Sequence, residues 1–358
     1  MNKPIELGLG TFGDVSEDAD GNPVDYPQVI RDVISEAVLA DQVGVDFFGI
    51  GEHHRADFAV SAPEVVLAAI AGQTSRIRLG SAVTVLSSDD PIRVFQRFAS
   101  LDAASNGRAE IILGRGSFTE SFPLFGFELD QYQDLFEEKL DLFAQLLTEK
   151  PITWRGKLRS PLEDVQVYPT TASGRIPTWI GVGGSPESVV RAARYRMPLM
   201  LAIIGGDPVR FAPYIDLYHR ALAQLGQPSL PIGVHSPGFI ADTDDLAREQ
   251  FYPSYTVMRD RIGAERGWPP MRRAEFDQEI DHGSLYVGSP DTVARKIAAT
   301  VSALGIDHFD LKYSAGPLTH EKSMHAIALY GTEVIPRVRR LLADGVELST
   351  AHSLTQAV

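Results

Sequence analysis

Four short stretches of this sequence carry residue types suited to chemistry. The first is Gly51-Glu52-His53-His54, where a carboxylate and two histidines follow an apolar run. Histidine suits acid–base work because its unperturbed pKa, about 6.5, lies near working pH. Adjacent residues of an extended chain point to opposite sides. One of His53 and His54 is therefore expected to face a site while the other packs or hydrogen-bonds. The second stretch is Leu113-Gly114-Arg115-Gly116-Ser117. Glycines on both sides of Arg115 let the backbone approach a ligand closely, and the forked guanidinium suits a phosphate. An interstrand ion pair is the plainer use of such an arginine.

The third stretch is Gly181-Val182-Gly183-Gly184-Ser185-Pro186-Glu187-Ser188. Ser185 reads as an N-cap and Pro186 as the first helical residue. The free amides and the helix dipole there form an anion site, to which Ser188 adds a hydroxyl. Pro186 stands where a dinucleotide fingerprint needs its third glycine, so the stretch is either a different phosphate site or a plain helix cap. The fourth, Gly288-Ser289-Pro290-Asp291-Thr292, repeats the same wording and competes for the role. A metal site needs three or four converging ligands, but the His-Glu-x-x-His pattern is absent and the other histidines are scattered.

These stretches need elements to hold them. Strand-like runs at 5–9, 47–50, 77–86, 109–113, 178–182, 199–204, 232–240 and 308–312 alternate with helical patterns. The helical patterns lie at 29–43, 63–74, 92–104, 132–147, 185–195, 209–225, 291–304 and 321–340. About eight strand–helix units predict an α/β fold, a (β/α)8 TIM barrel, with an open doubly wound sheet as the alternative. Active sites of such barrels lie at the strand C-termini, which is where His53 and Arg115 fall. Residues 149–171 and 251–284 break the rhythm and are expected as insertions in βα loops, the first as a hairpin or extended excursion. The expected organisation is one barrel domain over 1–342 and a C-terminal tail over 343–358. The third strand is small at its centre, Gly80-Ser81-Ala82-Val83, which suits either a planar ring against the backbone or a tight barrel interior.

Composition narrows the function classes. The 358 residues contain no cysteine, which excludes disulfides, thiolate nucleophiles and cysteine-ligated metals. A formal net charge of -14 with no basic cluster argues against a nucleic-acid surface. No apolar run reaches the roughly 20 residues of a membrane span, and Met1 to Gly10 lacks the regions of a signal peptide. A cytoplasmic protein is expected.

Taken in order and spacing, the motifs resemble the bacterial luciferase-like family of flavin-dependent oxidoreductases over about residues 5–340. The matching pieces are Gly51-Glu52-His53-His54 and the run from Gly80-Ser81-Ala82-Val83 through Pro91-Ile92-Arg93. They continue with Leu101-Asp102, Asn106-Gly107-Arg108, Leu113-Gly114-Arg115-Gly116 and Phe125-Gly126. Gly183-Gly184-Ser185-Pro186-Glu187-Ser188, Ala192-Ala193 and Pro198 complete the set.

The resemblance implies that His53, with Glu52 and His54 beside it, assists flavin oxygen chemistry as a base or hydrogen-bond donor. Arg115 and Gly116, with Gly183, Gly184, Ser185 and Ser188, would hold the FMN phosphate, and Gly184 replaces a family glutamate. Ala82 and Val83 match a pair joined by a non-prolyl cis peptide under the flavin ring. Gly114 stands where luciferase has a reactive cysteine, so light emission is not implied. The implied function is an FMN-dependent monooxygenase in which reduced FMN activates oxygen and one oxygen atom passes to a small organic substrate. Electrons would come from NAD(P)H, directly or through a partner reductase, and a homodimer is expected by the same resemblance. Phe12, Phe58 and Phe118 are candidate pocket walls. The alternatives are an FMN- or deazaflavin-dependent dehydrogenase or reductase, a non-catalytic flavin-binding protein, and a metal-dependent barrel hydrolase.

Overall fold

The computed structural model describes residues 4–18, 20–116, 118–172 and 174–344. Ser117 and residues 345–358 of the expected tail lie outside them. Eleven strands occur among the described residues: β1 (Glu6–Thr11), β2 (Phe47–Ile50), β3 (Arg78–Val85), β4 (Ala109–Gly114), β5 (Ile152–Trp154), β6 (Leu162–Val165), β7 (Thr178–Val182), β8 (Leu199–Ala202), β9 (Ile232–Ile240), β10 (Tyr286–Gly288) and β11 (His308–Lys312). Parallel pairing runs β1-β2-β3-β4-β7-β8-β9-β11 and returns to β1. The protein is a closed eight-stranded (β/α)8 barrel. Its strands are buried along nearly their whole length because helices cover the outside and side chains fill the inside.

Helix starts follow the same chemistry repeatedly. Asp25, Asp90, Ser185, Thr243, Ser289 and Thr319 each accept a hydrogen bond from an amide of the first helical turn. Proline follows in four of these helices, where its missing N–H costs nothing.

Two expectations about loops meet different outcomes. Residues 149–171 contain the expected hairpin, the antiparallel pair β5 and β6. It lies between the helix Tyr132–Leu146 and β7, an αβ connection rather than a βα loop, and does not line the mouth cavity. Residues 251–284 are not irregular: one helix, Asp244–Arg266, runs through Pro253 and ends at left-handed Gly267, and a second spans Arg273–Asp281. Pro253, with Trp268 and two prolines after the helix, masks the helical period in the sequence. The short strand β10 was also not anticipated. It pairs with the last three residues of β9, while the first part of β9 pairs with β11. Gly238 permits this crossing, since a β-carbon there would lie 2.3 Å from the Tyr286 carbonyl oxygen.

The barrel interior is layered. Its lower layer is ionic: Arg78 pairs with Glu6 and Glu110, the Trp179 indole N–H donates to Glu110, and His308 lies between Asp310 and Glu6. Burial works against the His308 imidazolium, but Asp310 and Glu6 outweigh it and lift it to about 10. Above this layer sit Phe47, Ala82, Ile112, Trp179 and Met200. They form the base on which the upper cavity rests.

Candidate active site at the barrel mouth

A cavity of about 390 Å³ opens among the C-terminal ends of the strands and is mostly apolar. Its base is β3. The Ala82–Val83 peptide is cis, and the β3–β4 register shifts between Ala82 and Thr84. The Val83 side chain lies over Gly114 and Gly181, where a β-carbon would approach it to 2.6 and 3.1 Å. Glycine at both positions therefore leaves room for the Val83 side chain between β3, β4 and β7. Gly114 thus serves packing as well as replacing a thiol.

Glu52, just past β2, braces this floor. Its Oε2 accepts from the Val85 amide at 2.9 Å, and its Oε1 pairs with His54 Nε2 at 2.9 Å. His53 turns the other way, into a cage of Phe12, Phe58 and Phe118, with ring centroids 4.5, 4.5 and 5.2 Å away. Enclosure pushes His53 down to about 3, against the opposing pull of Asp14. The ring is therefore neutral at working pH, which favours hydrogen-bond donation over service as a base. Both histidines border the cavity, and so do the three phenylalanines. His54 does so while bonded to Glu52, so the expected split between a facing and a packing histidine is incomplete. The chain leaves strand geometry after Ile50, and strict alternation ends with it.

Arg115 stands at the rim over the Tyr132 ring, 5.1 Å from its centroid, and Tyr132 in turn donates to the Gly116 carbonyl at 2.8 Å. Among the described residues Arg115 makes no ion pair within 4 Å, although its charge reaches the Glu187 carboxylate, so the interstrand ion-pair use does not occur there. Gly183 and Ser188 also line the cavity, whereas Gly184 and Ser185 stand just outside it. Ser185 is occupied locally: its hydroxyl donates to Glu187 at 2.7 Å and accepts from the Ser188 amide at 3.4 Å. Ser188 is buried and receives Arg191 at 3.1 Å. The competing cap at Ser289 already holds an anion. Asp244 accepts from the Ser289 amide at 2.6 Å and from Thr292 Oγ1 at 2.9 Å.

Several lining residues had not been singled out from the sequence. His235 on β9 stacks against Phe12, and burial pushes it down to about 4 despite nearby Asp310. Lys312, the last residue of β11, is buried beside Asp14, with Nζ–Oδ2 3.1 Å. Burial lowers its ammonium, opposed by Asp14. The helix Asp244–Arg266 supplies the outer wall through Tyr255, Met258, Arg259 and Ile262. A signal for Lys312 exists: charges at alternate positions His308, Asp310 and Lys312 mark the inward face of a strand. Among the described residues no three His, Asp or Glu side chains converge as metal ligands, and no helix is long and apolar enough to cross a membrane.

The fit to a flavin mononucleotide rests on these features. The apolar floor at Ala82 and Val83, with glycines beside it, leaves room for a ring. Arg115, with Ser188 and the open backbone at Gly183, suits a phosphate at the other end.

Comparison with known proteins gives the family and the fold. A family model described as luciferase-like monooxygenase matches residues 8–308. The chain is 27% identical over 340 residues to 4-hydroxyprotoasukamycin monooxygenase of Streptomyces nodosus subsp. asukaensis, covering 88% of this chain and 89% of that one. Two solved structures share the fold. The oxygenating constituent of 3,6-diketocamphane monooxygenase of Pseudomonas putida, in complex with FMN, superposes with TM-score 0.74 at 20% identity, covering 94% and 99% of the two chains. An F420-dependent secondary alcohol dehydrogenase superposes with TM-score 0.73 at 17% identity, covering 94% and 99%.

Proposed function

The chain belongs to the luciferase-like monooxygenase family, and from that premise we propose that it binds FMN at the barrel mouth and oxygenates a small organic substrate. The observation that carries the cofactor is Arg115, a cation at the cavity rim without a close ion pair among the described residues. Arg115, Gly116, the amides at Gly183 and Gly184, and Ser188 hold the phosphate, with Ser185 fixing the helix end. Ala82 and Val83 support the ring. Reduced FMN supplies two electrons and activates oxygen when bound. The protein orients it, excludes water with the phenylalanine cage, and places a neutral His53 as hydrogen-bond donor toward the reacting face. His54 is held ready by Glu52, which positions rather than reacts.

The proposal includes the finer expectations as well. NAD(P)H reduces the flavin here or through a separate reductase, and the chain works as a homodimer in the cytoplasm. Residues 1–342 act as one barrel domain, with 343–358 as a tail.

Titration with oxidised and reduced FMN, beside a deazaflavin, tests the cofactor, and substrate-stimulated oxygen uptake tests the reaction. FMN binding with oxygen uptake is expected. Preference for the deazaflavin, with no oxygen consumed, points to a dehydrogenase instead. Flavin binding without any substrate-accelerated turnover leaves a carrier protein.

A further inference from the structure

Behind the mouth cavity lies a second, much smaller one. Its volume is about 20 Å³, room for a single water molecule. Its lining mixes apolar side chains with polar ones, among them Thr11, Asp14, Ser314, Glu36 and His320.

Each side is an ordered chain. On the inner side Lys312, which borders the mouth cavity, pairs with Asp14 at 3.1 Å and reaches the Ser314 carbonyl. Ser314 Oγ donates to Asp14 at 2.6 Å and contacts Thr11 Oγ1 at 2.9 Å. On the outer side Glu36 accepts from Tyr313 at 2.6 Å and pairs with His320 Nδ1 at 2.9 Å. His320 is one-third exposed, so its ring reaches solvent. The Tyr313 hydroxyl, bonded to Glu36, also reaches Thr11 on the inner side, so the two chains meet there, and Asp14 and Glu36 both border the small cavity. Isolated buried ionisable groups are costly, and this arrangement places two carboxylates beside a water-sized gap.

We propose that this cavity holds one water and completes a proton path from His320 at the surface, through Glu36, the water and Asp14, to Lys312 at the mouth cavity. Thr11 and Ser314 are positioning residues that hold the water and Asp14 in line. The path rests on the FMN-monooxygenase reading and deepens it. The reduced FMN anion, oxygen, substrate and one proton give oxidised FMN, oxygenated substrate and water. The flavin supplies both electrons, one oxygen atom enters the substrate, and Lys312 Nζ delivers the proton that the departing water needs. Lys312 then regains its proton from Asp14 along the path, while FMN and substrate close the mouth. A device of this kind feeds protons to a site that excludes bulk water.

The test combines a crystal structure with a measurement independent of turnover. At high resolution the wild type should show one ordered water within hydrogen-bond distance of Asp14 and Glu36, retained in Thr11→Ser and lost in Thr11→Val. With oxidised FMN bound, exchange of the Lys312 ammonium protons with solvent is followed by NMR on protein carrying 15N-lysine. Glu36→Gln and Thr11→Val should slow that exchange about tenfold or more, the scale on which a positioned proton donor acts, while Thr11→Ser restores it. FMN affinity should stay within about twofold, since none of these groups contacts the cofactor. A dry cavity, or exchange unchanged in both slowed variants, overturns the path and leaves the cofactor assignment standing. Failure of the wild type to bind FMN overturns the functional reading, and with it the destination of the proton.

Discussion

The two ends of the barrel use charge in opposite ways. At the bottom, the Arg78 guanidinium is paired twice and His308 sits between two carboxylates. At the mouth, Arg115 makes no close ion pair among the described residues, and two histidines are kept neutral by enclosure. A buried charge without a partner is expensive, so the bottom shows what the fold does when charge serves only structure. The mouth departs from that rule in the cavity where the family's cofactor is expected. Every charge of the foundation is paired, whereas the mouth sets Arg115 and two neutral histidines beside the pairs Lys312–Asp14 and Glu52–His54.

The largest effect that tests this contrast is at the bottom. Arg78→Met leaves Glu110, which is 1% exposed, without its counter-ion. Breaking a buried pair from one side costs about 3–5 kcal/mol, so the melting temperature should fall sharply while the folded fraction still binds FMN. A normal melting temperature would mean that the lower layer is not a foundation.

Arg115→Ala should do the reverse. Removing charge-assisted bonds to a phosphate costs about 1.5–3 kcal/mol, or about 10- to 150-fold in FMN affinity. Stability should hold or rise slightly, because no described ion pair is broken. Calorimetric titration beside a thermal melt separates the two readouts. A variant that melts early yet binds FMN normally would return Arg115 to a structural role.

The two ends should also divide the pH dependence of stability. His308 is lifted to about 10, above its unfolded value near 6.5, so its contribution is complete below pH 6.5 and lost as pH rises through 10. His53 and His235 lie at about 3 and about 4, so the unfolded chain gains protons first on acidification. Their neutral burial costs nothing above pH 6.5 and becomes a liability as pH falls toward 4 and 3. Melts between pH 5 and pH 9.5 should show His308→Gln flattening the alkaline limb and His235→Asn flattening the acid limb. Over this range the alkaline limb should change by about 4 kcal/mol and the acid limb by about 2 kcal/mol. Exchanged limbs would contradict the charge states given to the two layers.

Much of this contrast could be read from the sequence on the mouth side and little on the bottom. The barrel was legible because each strand–helix unit carries its own period and cap. Glu52, His53 and Arg115 were legible because they follow strand ends, where barrels place chemistry. His235 lies inside a largely apolar strand, and the partners of His235 and Lys312 come from other elements. The helical outer wall was hidden by Pro253, whose cost to a helix is local and whose compensation is tertiary. The cap at Ser185 was legible as a cap, but its direction was not. Which partner a hydroxyl chooses depends on the rotamers of Glu187 and Ser188, and no spacing encodes those.

That last ambiguity yields the smallest and finest test of the contrast. Ser188 faces the cavity, while Ser185 holds the helix end from outside it. Ser188→Ala should weaken FMN by about 0.5–1.5 kcal/mol, a few-fold to about tenfold, with a small change in melting. Ser185→Ala should cost about 1 kcal/mol of stability through the lost cap and change FMN affinity less than Ser188→Ala does. Titration and melting on both variants decide the assignment. If Ser185→Ala costs more affinity than Ser188→Ala, its hydroxyl must leave Glu187 for the phosphate on binding. The helix terminus would then belong to the site itself, and the boundary between foundation and mouth would move outward by one turn.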